Sequence, residues 1–250
     1  MDNSIFNHFS VNGNRIELPE MSVVEISKQD YAQIKKIMLN NLGKYKKNGF
    51  NFPYNPAELL EKLKAGDNET MVKKFQFFPT PAEVMDKMLQ ITLPLEPLKI
   101  LEPQAGQGHI IKEIKNFTSW DVGHTFHACE LHPINRAILK EEHPDVEIIG
   151  ENFLELEPDP TYDLVIMNPP FTTKGDKHHY LTHIEHAQKF LGKYGELISV
   201  VPDTFILSKD KRIIDYKNEN DFSIYKLDGG SFKSSGTMVE TSLLQIKNYV

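Results

Sequence analysis

Cysteine is nearly absent. Cys129 stands alone among 250 residues, which excludes an intrachain disulfide and a multi-cysteine zinc site. Long apolar runs are missing as well: no stretch approaches the roughly 18 consecutive apolar residues that a membrane-spanning helix needs. The opening Met1-Asp2-Asn3-Ser4 lacks the basic and then apolar pattern of a secretory leader. These absences set the expectation of a cytoplasmic protein in a reducing compartment, with no membrane partner. An overall excess of positive charge is also lacking. The net charge of −7 argues against a protein that coats nucleic acid electrostatically. With 40% hydrophobic and 25% charged residues, the chain is ordinary globular material rather than disordered or fibrous. The single tryptophan, Trp120, sits in a polar loop and decides nothing.

The positive charge that is present gathers at one end. Residues 1–75 carry 11 Lys+Arg against 9 Asp+Glu, whereas residues 76–250 carry 17 against 26. Lys35, Lys36, Lys44, Lys46 and Lys47 fall within 13 residues, with Tyr45 and Phe50 interleaved. Two readings stand: a solvated helix end and loop, or a patch that contacts phosphates beside stacking aromatics.

The chain divides into a small α+β unit over residues 1–72 and a larger α/β domain over 73–250. In the first, Arg15–Leu18 alternates like a short strand, Ser27 can cap a helix over Gln29–Asn41, and Gly43 is placed to stop it. Gly49–Phe52 reads as another strand. Pro56 opens a helix, Ala57–Leu63, that Gly66 ends, and Gly66–Thr70 reads as a polar linker. In the second, strand patterns occur at Leu98–Glu102, Thr125–Glu130, Val146–Ile149, Tyr162–Met167, Glu196–Val201, Phe222–Leu227 and Glu240–Ile246. Helices are expected at His109–Ile114, Pro133–Lys140 and His179–Leu191 between them. Strands separated by helices of this length predict right-handed βαβ units and a doubly wound, largely parallel sheet.

Two strand ends carry chemistry. The first is Leu101-Glu102-Pro103-Gln104-Ala105-Gly106-Gln107-Gly108-His109, lying between a strand and a helix, where open parallel sheets bind ligands. Gly106 and Gly108 permit a backbone path that other residues resist and let a ligand approach the main chain. No third glycine and no Lys-Ser/Thr pair follows, so this is not a phosphate-binding fingerprint. Glu102, just before the loop, would repel a pyrophosphate and suit a positively charged amino-acid moiety, which favours S-adenosylmethionine over NAD or ATP. A plain strand-to-helix turn is the alternative. His109 reads as a helix-start residue lining that pocket.

The second is Asn168-Pro169-Pro170-Phe171. Two prolines cannot donate to a ladder, so the strand ends here in a stiff turn. The Asn168 amide oxygen and the Pro169 carbonyl can each accept from an exocyclic –NH2, while Phe171 can stack on the planar ring that bears it. A rigid turn with no further role is the bland alternative, weakened by its place downstream of the glycine loop.

With these motifs in this order, the sequence resembles the class I S-adenosylmethionine-dependent methyltransferases, specifically the group that methylates adenine N6 in DNA. The likeness runs from about Phe75 to the C-terminus. It implies a Rossmann-like seven-stranded sheet, mostly parallel with an antiparallel last strand. Phe77-Phe78-Pro79-Thr80-Pro81 resembles the family segment lying over the methionine part of the cofactor. Glu102, Pro103, Ala105, Gly106 and Gly108 match its cofactor loop, and Glu130 matches the acidic residue that holds both ribose hydroxyls. Asn152-Phe153 falls where the family has Asp-Phe beside the cofactor adenine, with Glu151 as an alternate carboxylate. Gly230–Thr237 resembles the Phe-Lys-Xaa-Ser-Gly-Thr turn of a phage- and mobile-element-type branch, which also has a Gly-Lys-aromatic centre like Gly43-Lys44-Tyr45.

The resemblance implies that a target adenine leaves its stack and packs on Phe171, and that Asn168 and Pro169 hold its amine against the cofactor's methyl. No metal or covalent intermediate is required. Within these residues no separate target-recognition domain is expected. Base choice is therefore left to the N-terminal unit with Lys44, Lys46 and Lys47, to short loops, to a specificity subunit or second copy, or is loose. The same tetrapeptide serves methylation of RNA bases and of protein glutamine, and a non-catalytic cofactor-binding accessory subunit is a further alternative. His178, His179, His183 and His186 form a rival constellation. His179 and His183 stand one helical turn apart, a spacing able to bind metal, but no zincin-type Glu accompanies them, and packing or substrate contact is the expectation. Cys129, in an apolar strand, reads as a small core residue.

Overall fold

Two units make up the chain, Met1–Phe77 and Phe78–Val250. They are seen in a computed structural model that describes every residue except Met1, Met21, 72–77, 93–95, 119–121, Pro160 and Val250. Trp120, Phe77 and the expected boundary after residue 72 lie outside the described residues.

In the first unit, strands β1 (Ser10–Asn12), β2 (Arg15–Glu17), β3 (Lys44–Tyr45) and β4 (Gly49–Asn51) form an antiparallel sheet in the order β1-β2-β4-β3. Ile16 sits opposite Phe50, and both are fully buried with Phe6, Ile34, Met38, Leu60 and Leu63. Ile34 and Met38 come from α1 (Lys28–Leu39), whose first turn is capped by the Ser27 hydroxyl accepting the Asp30 N–H at 3.0 Å. Leu60 and Leu63 come from α2 (Ala57–Lys64). Gly66, with φ +86°, ends α2: its N–H reaches the Leu63 carbonyl and that of Asp67 reaches Lys62, a paired closure that a left-handed residue permits.

Two expectations for this unit are corrected. Leu42, at φ +68°, takes the left-handed position after α1, not Gly43. Gly43 is needed for space instead, because a Cβ there would lie 2.8 Å from the Met38 carbonyl and the Phe52 ring. Nor is Gly66–Thr70 a free linker. Thr70 is buried, and the Met71 N–H donates to Asn41 Oδ1 at 3.1 Å, so the segment folds back onto its own unit.

The second unit is built on a seven-stranded sheet in the order β10-β11-β9-β8-β5-β6-β7. Its strands are β5 (Lys99–Glu102), β6 (Thr125–Cys129), β7 (Glu147–Gly150), β8 (Tyr162–Met167), β9 (Leu191–Pro202), β10 (Ser223–Lys226) and β11 (Thr241–Lys247). Neighbours from β7 to β9 pair parallel, and β11 runs antiparallel to both β9 and β10. Alternate strand residues enter two different cores. Ile100, Leu164, Ile166, Ile198 and Val200 face α3 (Ala82–Thr92), α4 (His109–Phe117) and α5 (Pro133–Glu142) through Met88, Ile111 and Leu139. Leu101, Val165, Met167, Leu197 and Val201 face α6 (His179–Ala187) and α8 (Lys211–Glu219), with Phe205 of the short α7 (Thr204–Leu207). Burial on both faces explains why these strands read as apolar runs rather than alternations.

The helix expected over His179–Leu191 is shorter than its apolar pattern suggests. It ends at Ala187, passes through one 3-10 turn and hands over to β9 at Leu191. Gly195 lets this early part of β9 approach β8, since a Cβ there would sit 2.6 Å from the Tyr162 carbonyl.

Candidate active site

The chain leaves β5 to add β6 on one side and later returns to add β8 on the other. The carboxyl ends of β5 and β8 therefore flank the point where strand order reverses, the place where open α/β sheets hold ligands. Residues 103–108 and 168–171, the two motifs singled out from the sequence, follow those two strands directly.

The loop after β5 is held by backbone demands. Gly106 and Gly108 have φ +57° and +80°, and Gly108 starts α4 without a capping side chain. Glu102 supplies what the cap lacks: its carboxylate receives the Ile111 N–H in the first turn of α4. Burial pushes that carboxyl well above its usual range, against the help of Ile111, and nearby Glu130 raises it further. Glu102 Oε2 is buried and has no hydrogen-bond partner among the described residues. A buried carboxyl with one open acceptor oxygen suits a cationic guest, whose charge would favour the ionised form that burial disfavours.

Glu130, which follows β6, is turned toward the same loop. Its Oε2 accepts the Gly106 N–H at 2.7 Å and its Oε1 the His132 N–H at 2.8 Å, while the Ala105 N–H donates to the Cys129 carbonyl at 2.9 Å. Burial raises the Glu130 carboxyl, and those two N–H groups, the Asn135 side chain and Arg136 moderate the rise. A carboxylate offers about four acceptor directions, so one remains for a hydroxyl. Cys129 itself is buried, with its thiol pushed up to about 12 by that burial, and stays an inert core residue.

Asn152 caps a 3-10 turn at Phe153–Glu155, accepting the Leu154 N–H at 3.2 Å and donating to Glu155 at 2.7 Å. Phe153 is almost fully buried, its ring 4.8 Å from that of His186 and 5.1 Å from that of Phe190. Glu151 is exposed and pairs with Arg136 at 2.8 Å.

The second motif is locked from behind. Asn168 Nδ2 donates to the Phe78 carbonyl and to Thr80 Oγ1, each at 3.1 Å. Both amide hydrogens are thereby used, and Oδ1 is left on the opposite side as an acceptor. Pro79 between these partners is anchored in turn, its carbonyl receiving the Ser235 hydroxyl of the Gly230–Thr237 turn. Pro169 is buried, and Pro170 and Phe171 are half-buried. The Phe171 ring meets Tyr180 edge-on at 6.3 Å, and its carbonyl accepts the Tyr180 N–H at 3.4 Å.

Gln104 was assigned no role from the sequence, yet its Nε2 lies 2.8 Å from His183 Nδ1. The two are 79 positions apart, and only the packing of α6 beneath the loop joins them; the sequence carried no signal for it. His109 begins α4, as expected. Among the described residues, no group of three or more His, Cys, Asp or Glu side chains is placed to hold a metal ion. Lys44, Lys46 and Lys47 lie on a hairpin of the first unit. Lys47 and Asn48, at φ +39° and +55°, form its two-residue turn, closed by the Lys46 N–H on the Gly49 carbonyl at 2.9 Å. All three lysines and Tyr45 are exposed.

Comparison with solved structures places the architecture. A protein of Listeria monocytogenes, assigned to the class I S-adenosylmethionine-dependent methyltransferases, superimposes with a TM-score of 0.56 at 16% identity, covering 77% of this chain and 66% of that one. The second unit has the class I methyltransferase fold. The M protein of the type I restriction enzyme EcoKI gives a TM-score of 0.56 at 18% identity, over 89% of this chain and 55% of that one. The type I restriction-modification methyltransferase subunit of Streptococcus thermophilus gives 0.59 at 15% identity, over 78% and 50%. The chain thus spans only half to two thirds of the length of these methyltransferases. Residues 112–213 match the methyltransferase small domain family. No curated protein sequence matches the chain. At such identities the shared feature is the fold, and chemistry has to be argued from the site. No helix among the described residues is long and apolar enough to cross a membrane.

Proposed function

We propose that the chain binds S-adenosylmethionine in the crevice between β5 and β8 and methylates the exocyclic N6 amine of adenine in DNA. The observation that carries this reading is the orientation of Asn168. With its –NH2 committed to Phe78 and Thr80, its carbonyl oxygen is left as an acceptor, and the next residue, Pro169, adds a backbone carbonyl. Acceptors on two adjacent residues suit a planar –NH2 donor, and Phe171 supplies an aromatic ring for the plane that carries it.

The residues of the loop fit the cofactor. The orphaned Glu102 Oε2 suits the ammonium of its amino-acid part, the acceptor direction left on Glu130 suits a ribose hydroxyl, and the tight turn at Gly106 and Gly108 allows close approach. When bound, the cofactor supplies an electrophilic methyl group on sulfur. Asn168 and Pro169 draw the amine lone pair out of conjugation by accepting its two hydrogens, and the Phe171 ring fixes the plane of the base. Their contribution is position and polarisation, so the rate advantage rests on geometry.

Adenine is favoured over glutamine by the aromatic platform at Phe171. DNA is favoured by the likeness to the EcoKI M protein and to the type I restriction-modification methyltransferase subunit of Streptococcus thermophilus. We assign Lys44, Lys46 and Lys47 to phosphate contacts, and a specificity subunit or second copy to whatever site selection they leave open. The Gly230–Thr237 turn, anchoring Pro79 through Ser235, is the feature that supports kinship with phage- and mobile-element-type enzymes.

The test is incubation with methyl-labelled cofactor and, separately, duplex DNA, single-stranded DNA, bulk RNA and protein extract. Label recovered as N6-methyladenine in DNA is expected. Label in RNA or in protein glutamine would replace the substrate, and cofactor binding without transfer to any of them would leave an accessory subunit.

A further inference from the structure

A line of hydrogen bonds leaves the β5 loop and ends beyond Pro170. Gln104 Nε2 stands 2.8 Å from His183 Nδ1, His183 Nε2 stands 3.2 Å from His179 Nε2, and His179 Nδ1 stands 3.4 Å from Asp176 Oδ2. Asp176 also accepts the Thr182 hydroxyl at 3.0 Å and the His178 N–H at 2.9 Å, with Arg212 at 3.6 Å.

The direction of this line is fixed from its far end. Although burial works against it, the His178 N–H, the Thr182 hydroxyl, His179 and Arg212 hold the Asp176 carboxyl below its ordinary value, so Asp176 is ionised and only accepts. Holding one proton, His179 carries it on Nδ1 toward that carboxylate and presents Nε2 as an acceptor. Burial, with the neighbouring His179 and His186, pushes His183 down to about 3, so it is neutral and has one N–H to give. That N–H has to be on Nε2, facing His179. His183 Nδ1 is therefore an acceptor, and Gln104 meets it with its –NH2.

The consequence lies at the other side of the amide. Gln104 Oε1 is buried and has no partner among the described residues, and the same is true of Glu102 Oε2 two positions earlier. Two orphaned acceptors on one loop are costly to a folded chain unless a ligand donates to them. We propose that Asp176, His179 and His183 are positioning residues that hold Gln104 as an acceptor, and that Gln104 Oε1 joins Glu102 Oε2 in receiving the ammonium of the cofactor's amino-acid part. The ligand named here rests on the cofactor reading above; the direction of the hydrogen bonds does not. An ammonium has three donors and no acceptor, so it matches two such oxygens. Were the line reversed, Gln104 would offer an N–H to that cation instead.

Two measurements test this. Imidazole 15N NMR of the unliganded chain should show His179 protonated at Nδ1 and His183 at Nε2. A wild-type His183 protonated at Nδ1 overturns the relay. In calorimetry, Gln104→Leu should weaken S-adenosylhomocysteine about tenfold, some 1.4 kcal/mol, while leaving 5′-methylthioadenosine, which lacks the amino-acid part, unchanged. No loss, or equal loss for both ligands, overturns the ammonium contact. Failure of S-adenosylhomocysteine to bind the unaltered chain removes the cofactor reading and the contact together, and the tautomers still report on the relay.

Discussion

Gly108→Ala is the sharpest structural perturbation the candidate site offers, because two separate costs meet there. The residue has φ +80°, where a Cβ-bearing residue pays about 1–2 kcal/mol. A Cβ at Gly108 would also lie 2.5 Å from His143 Cδ2 and 2.7 Å from Leu139 Cδ1. Leu139 is fully buried in the core beneath α5 and cannot swing away, so overpacking adds about 1–3 kcal/mol. The lower entropy of an unfolded chain with Ala returns about 0.4–1 kcal/mol. The net expected loss is about 1–5 kcal/mol, a large share of the roughly 5–15 kcal/mol by which domains are stable. Gly123 is the internal control: its φ is +79°, but nothing among the described residues lies within 4 Å of its Cβ direction. Gly123→Ala should therefore cost about 1 kcal/mol or less from backbone strain alone. Urea unfolding of both variants reads the difference. Equal losses would refute the claim that α5 packs against the glycine loop and fixes its path.

Further outcomes follow from the same geometry. Thr80→Val removes one of the two acceptors that orient the Asn168 amide; stability should fall by about 0.5–1.5 kcal/mol, and turnover should fall more than cofactor affinity, as single-turnover kinetics and calorimetry would show. Glu102→Gln removes a carboxyl whose ionisation burial disfavours, so the unliganded variant should be more stable than wild type at neutral pH while binding S-adenosylhomocysteine about tenfold more weakly. Because burial holds the Glu102 carboxyl above its unfolded-state value, the wild-type penalty is present above that raised value and is relieved as pH falls through it. The stability advantage of E102Q in urea unfolding should therefore vanish near pH 4, about where free glutamate takes its proton. Replacing Lys44, Lys46 and Lys47 together with Ala should weaken DNA binding and flatten its logarithmic salt slope by about 2–3, close to one per lost phosphate contact; an unchanged slope would return the hairpin to solvated surface.

Much of the fold was legible because its strands are buried on both faces. Tyr162–Met167 and Lys99–Glu102 announce themselves as apolar runs ending at turn residues, and their order within βαβ units leaves few topologies open. Harder to see were elements whose signal is weak or shared. The β3–β4 hairpin turns on Lys47 and Asn48, where only Asn is a usual turn residue, and β3 is just two residues long. The segment Lys211–Glu219 is polar on most of its surface, and only Ile213 and Tyr216 anchor it as a helix. The two loops of the candidate site were visible through their glycines and prolines, which have few other uses at strand ends. What supports those loops was not visible. Thr80 reaches Asn168 across 88 positions and His183 reaches Gln104 across 79, and hydrogen bonds of that separation leave no local pattern.

The account rests most heavily on Asn168 holding a target amine. DNA from a host expressing the chain, compared with DNA from one expressing Asn168→Ala, should be digested and its nucleosides measured by mass spectrometry. N6-methyladenine above background with the unaltered chain, and its loss with the variant, is the predicted result. Equal N6-methyladenine from both would remove Asn168 from the chemistry, and none from either would contradict DNA adenine as the substrate.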